Sequence, residues 1–121
     1  MKNIFVHLRV HSNFSLAEGM LSFNFISNFC EKNLQPAIAI TDTSNLFGVL
    51  EFSIEMTKKG IQPIIGIQVN IAESVEDEKN IGEVVLIAKN EIGYRNLLFL
   101  TSELSKNLNF EKFIKYKHLK T

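Results

Sequence analysis

Apolar residues follow two periods along this chain, one of two and one of three to four, and the periods alternate from the start to about residue 106. The run IFVHLRV at 4–10 has period two and β-branched residues, so it predicts a strand. On that strand Val6, Leu8 and Val10 share one face, and His7, Arg9 and the following His11 share the other. Residues 22–33 switch to helical spacing: Phe23, Ile26, Phe29 and Cys30 form a stripe, Ser22 is placed to cap it, and Asn33 is a candidate for the left-handed residue that ends it. AIAIT at 37–41 reads as a short strand covered on both faces. A helix over 46–59 follows, with Asn45 as its cap and Gly60 as its stop. Residues 63–71 read as a third strand opened by Pro63, and 83–88 as a fourth. The acidic stretch 72–82 between them reads as a solvated connection. A long helix from Asn90 to about Lys106 comes next, then a short one over 110–117 presenting Phe110, Phe113 and Ile114.

Strands alternating with helices place the chain in the α/β class with a largely parallel sheet, although the 63–71 and 83–88 pair can also run antiparallel across the acidic connection. At 121 residues, with no repeat and no low-complexity tract, 1–121 is expected to be one domain around one core. Thirteen basic and thirteen acidic residues cancel, so the chain has no general pull toward nucleic acid, and no direct DNA binding is expected. No apolar run is long enough to cross a membrane. One cysteine cannot close an internal disulfide, which fits a reducing cytoplasm. Lysine dominates the basic residues, and the only arginines are Arg9 and Arg95, which singles out Arg9.

In α/β folds chemistry gathers at the C-terminal ends of parallel strands. Those ends carry Arg9, His11 and Ser12, then Thr41, Asp42 and Thr43, then Gln68 and Asn70, with Glu83 opening the fourth strand. Two imidazoles on one strand face suit zinc, manganese or iron. Arg9, however, lies between His7 and His11. A guanidinium stays charged, and at about 4 Å and an effective dielectric near 20 it would repel a divalent ion by roughly 8 kcal/mol. From spacing alone the polar outer face of an edge strand is favoured over a metal site. No glycine-rich phosphate loop and no G-x-S-x-G context occurs, and Cys30 sits on an apolar helix stripe, so no catalytic residue is assigned.

Four segments in order, FVHLRVHSNFSLAEG, AIAITDTSNLFG, IQPIIGIQVNI and LIAKNEIGYRNL, resemble the polymerase and histidinol phosphatase (PHP) domain that begins bacterial DNA polymerase III alpha subunits. The resemblance covers nearly the whole chain and implies the first four or so strands of a distorted (β/α)7 barrel. In that family active members hold a metal cluster at the strand ends and hydrolyse phosphoesters. The family's H-x-H pattern falls here on Arg9 and His11, and its acidic residue before glycine on Glu18. Its T-D-H falls on Thr41, Asp42 and Thr43, its third-strand glutamate on Gln68, and its fourth-strand histidine nearest Glu83. Arg9, His11, Glu18, Thr43, Gln68 and Glu83 are therefore expected to be vestigial metal-site positions, with His7 and Asp42 supporting, and no metal is expected to be held.

Arg9 is expected to stand in for the lost ion's charge by pairing with Asp42, Glu18 or Glu83. The resemblance implies a structural and docking role in replication. The expected partners are the rest of the alpha subunit, the proofreading exonuclease subunit and further copies meeting through open sheet edges. The alternative it leaves is a phosphoesterase or 3'-5' exonuclease using manganese, zinc or magnesium at a reduced site through His7, His11 and Asp42. The shortness of the chain beside that family's domain implies a fragment: a designed piece, a split gene product or a truncation.

Overall fold

The computed structural model describes residues 4–14, 21–72, 82–106 and 113–115. Its regular elements are helix α1 (Phe23–Lys32), strand β1 (Ala37–Ile40), helix α2 (Val49–Lys58), strand β2 (Gln62–Ala72), strand β3 (Gly82–Ile87), helix α3 (Glu91–Lys106) and strand β4 (Phe113–Lys115). The alternation of helix and strand is that of an α/β fold.

Strand β2 is the spine. On one edge its first half pairs in parallel with β1, from Ala37 opposite Gln62 to Ile40 opposite Ile65. An isolated parallel bridge, Thr43 to Gln68, carries the same register past the end of β1. Further along, β4 pairs in parallel at Asn70–Ala72. Strand β3 pairs antiparallel with β2, Gly66 facing Ile87 and Ile71 facing Gly82. The antiparallel alternative is therefore the one adopted, and it brings the beginning of β3 to the end of β2. Gly66 allows the two strands their close approach: a β-carbon there would meet the Leu86 carbonyl at 2.7 Å.

The helices cover one face of this sheet. Phe23, Ile26 and Cys30 of α1, Ile38 and Ile40 of β1, Phe52 and Met56 of α2, and Ile61 form a first buried cluster. Ile67, Val69 and Ile71 of β2 meet Leu97, Leu100 and Leu104 of α3 in a second. Burial of each such side chain stabilises the fold by about 1.5–3 kcal/mol before entropy is counted. Because β2 alternates, the residues between Ile67, Val69 and Ile71, namely Gln68 and Asn70, point to the side opposite the described helices.

Four local expectations change. Residues 4–10 lie beside β1 but form no regular strand. The Ala39 amide donates to the His7 carbonyl and the Thr41 amide to the Val10 carbonyl, each at 2.9 Å. Donors two residues apart thus meet acceptors three apart, so one extra residue interrupts the period of two. Leu8 is consequently half exposed, while Val10 packs on the first cluster. At the end of α1, Asn33 keeps a negative φ and Leu34 takes the left-handed conformation, φ 53°. Helix α2 starts behind Gly48 with no side-chain cap, and Asn45 instead accepts from the Phe47 amide and donates to the Phe14 and Thr43 carbonyls. Finally, 113–115 of the expected 110–117 helix form β4. Phe and Ile suit an extended chain, a helix of two turns is marginal alone, and the edge of β2 supplies hydrogen bonds there. The other residues of that segment lie outside those described, as does most of the acidic connection. Ser22 caps α1 as expected, accepting from the Phe25 amide at 3.2 Å.

Candidate functional site

Three chain segments meet at the end of β2. Residues 9–12 arrive after the slipped pairing with β1. Residues 41–44 leave β1 and follow the edge of β2. Glu83, one residue into β3, stands opposite Asn70.

The deepest contact joins the first two segments. Ser12 donates its amide to Asp42 Oδ1 and its hydroxyl to Oδ2, both at 2.6 Å, and Ser12 Oγ accepts from the Phe14 amide at 3.1 Å. Ser12 and Asp42 are buried. A carboxylate removed from water needs such partners, since bonds to a charged group contribute about 1.5–3 kcal/mol and leaving the group unpaired is costly. Beside it the Thr41 hydroxyl accepts from the Val10 amide at 3.0 Å.

Gln68 is the hub. Its backbone amide donates to the Asp42 carbonyl at 3.1 Å and its carbonyl accepts from the Ser44 amide at 2.9 Å. Ser44 reaches that position with φ 57°, a left-handed conformation unfavourable to a side chain by about 1–2 kcal/mol. The Gln68 side chain is buried, and its Oε1 accepts from Arg9 Nε at 2.8 Å and lies 2.9 Å from His11 Nε2. Arg9 Nη2 then bonds Glu83 Oε2 at 3.3 Å, both side chains more than half exposed. Of the carboxylates expected to face Arg9, Glu83 is the one among the described residues that bonds it. Asp42 is bonded to Ser12, and Glu18 lies outside the described residues.

The site brings together Arg9, His11, Asp42, Thr43, Gln68 and Glu83. His7 lies apart: its ring meets Phe5 edge-on at 4.7 Å between centroids and Phe29 of α1 at 6.1 Å. The extra residue between the bonds at His7 and Val10 breaks the shared face on which it was grouped with Arg9 and His11. Among the described residues no group of three His, Cys, Asp or Glu side chains is placed to hold a metal ion. Two roles escaped the sequence, the Ser12 clamp on Asp42 and Gln68 as the common acceptor. A glutamine flanked by Ile67 and Val69 on a buried strand is the signal for the second, because a buried amide must find partners.

The strand-end cluster and the sheet that carries it belong to a known class. The chain is a member of the PHP domain family, whose model matches residues 7–120. Its relatives include the DNA polymerase III alpha subunits of Rickettsia felis, 38% identical over 124 aligned residues and 96% of this chain, and of Borreliella burgdorferi, 42% identical over 105 residues and 81% of this chain. The match falls on the N-terminal PHP region of those subunits. The chain spans about a tenth of their length, 10% and 9%. Among solved structures, an amidohydrolase from Chromobacterium violaceum superposes with a TM-score of 0.59 at 17% identity, over 83% of this chain and 34% of that one. A protein from Bifidobacterium adolescentis classed by name as a metal-dependent phosphoesterase gives 0.61 at 16% identity, over 82% and 32%. These likenesses concern the fold alone. No helix among the described residues is long and apolar enough to cross a membrane.

Proposed function

We propose that this chain is the beginning of the PHP domain of a replicative DNA polymerase alpha subunit, and that it serves as scaffold and docking module rather than as a hydrolase. The observation that carries this reading is the Arg9 guanidinium. At the strand-end position where the family pattern has a histidine, it is bonded to Gln68 Oε1 and to the Glu83 carboxylate.

The described residues do not fit a divalent-metal cluster. Arg9 adds a permanent positive charge, which at about 4 Å repels a divalent ion by roughly 8 kcal/mol at an effective dielectric near 20. Gln68 offers a neutral oxygen that already has two nitrogens within bonding distance. Thr43 has no imidazole, and both oxygens of Asp42 accept from Ser12. Arg9, His11, Glu18, Thr43, Gln68 and Glu83 are on this reading the remains of a metal site, with Asp42 supporting. The partners it implies are the rest of the alpha subunit, the proofreading subunit and, for the isolated chain, further copies meeting at sheet edges, all in the cytoplasm.

The test is metal analysis of the chain after equilibration with manganese or zinc and removal of free ion, together with hydrolysis of a generic phosphodiester. Well under one ion per chain and no hydrolysis are expected. A stoichiometric ion, with hydrolysis that His11→Ala abolishes, would overturn the reading and favour a phosphoesterase. Concentration-dependent sedimentation is expected of the isolated chain, and a sharply melting monomer would contradict the edge contacts.

A further inference from the structure

Two nitrogens converge on one oxygen at the centre of the site. Arg9 Nε can only donate a hydrogen bond, and it lies 2.8 Å from Gln68 Oε1. That contact fixes which end of the Gln68 amide faces Arg9: an amide NH2 turned there would set donor against donor. With the oxygen so placed, His11 Nε2 faces an acceptor at 2.9 Å. A ring nitrogen facing a carbonyl oxygen must carry the proton. A carbonyl oxygen has two lone pairs, so both bonds are made at once.

We propose that Arg9 is a positioning residue that acts through Gln68 to hold the His11 proton on Nε2, and so withholds that nitrogen's lone pair from cations. The inference rests on the reading of the site as one that has lost its metal, and it adds a cause. Repulsion by Arg9 acts on the ion, whereas this relay acts on the remaining imidazole, which a metal needs as a lone-pair donor. Glu83 has a lesser part, since it bonds Arg9 at Nη2 rather than at the Nε that faces Gln68.

The experiment is nitrogen-15 NMR of the histidine rings in the metal-free full chain at about pH 8, where an ordinary imidazole is neutral, with the His11 signals assigned by their loss in His11→Ala. In the unsubstituted chain the His11 pattern is expected to be that of the Nε2–H tautomer. In Arg9→Ala the amide is free to turn, and the ring-nitrogen pattern is expected to move away from that of the Nε2–H tautomer. Arg9→Lys, which keeps an obligate donor, should restore the original pattern, and Glu83→Gln should leave it in place. A proton on Nδ1 in the unsubstituted chain, or a pattern that Arg9→Ala does not move, would overturn the proposal. Because no metal is present, this result is separate from the metal analysis: an ion taken up later would refute the loss of the site without changing where the proton sits beforehand.

Discussion

The site holds two carboxylates in opposite circumstances. Asp42 is buried, with Ser12 donating to both of its oxygens at 2.6 Å. Glu83 stands in solvent and meets Arg9 at 3.3 Å. Judged by charge, the Arg9–Glu83 ion pair is the stronger contact. Judged by surroundings, the neutral hydroxyl and amide of Ser12 matter more. An exposed pair contributes about 0–1 kcal/mol because water and salt already screen both ions, whereas a buried acceptor cannot return to water without unfolding. The Ser12–Asp42 contact therefore holds the first segment to the end of β1, and the Arg9–Glu83 contact balances charge at the surface.

That contrast is broken most directly at Asp42. Asp42→Ala leaves the Ser12 amide and hydroxyl without their acceptor and should cost about 3 kcal/mol, read as a lowered urea midpoint. An effect below that of Glu83→Gln would reverse the ranking. Gln68→Leu comes next, at about 1–2 kcal/mol, because Arg9 and His11 lose their shared acceptor at a part-buried site. Arg9→Ala and Glu83→Gln should each cost under about 1 kcal/mol, and the coupling between them in a double-mutant cycle should vanish in high salt, while the Ser12–Asp42 coupling persists. The smallest effect is expected away from the site. Burial pushes the Cys30 thiol above its ordinary value of 9.0. The neutral thiol is thus favoured in the folded chain. Stability is unaffected below that value and falls as pH rises from it toward the folded-state value, since the unfolded chain then loses the proton first. Equilibrium unfolding between pH 8 and pH 10 should show this decline and Cys30→Ala should lack it.

The sequence made the strongly periodic parts legible. The stripe Phe23, Ile26 and Cys30 and the run from Ile67 to Ile71 are the two cores found. Glu83 was legible as one of three candidate partners of Arg9, through the family resemblance and charge together. The one-residue slip between His7 and Val10 was not, because alternation in a sequence gives no sign of where a hydrogen-bond ladder gains a residue, and His7 was grouped with the wrong face as a result. Nor was β4 legible: Phe113 and Ile114 fit either period, and the choice was made by an edge of β2 more than forty positions earlier. The hub role of Gln68 was hidden for a related reason. Substitution of an acidic residue by an amide reads as a loss until the two donors that converge on it are seen together.

The reversal of β3 against β2 has a practical corollary. Glu83 is placed by its rung opposite Asn70, not by the length of chain that leads to it. A substitution that loosens this rung would therefore carry the carboxylate away from Arg9, 3.3 Å off, with Glu83 itself unchanged.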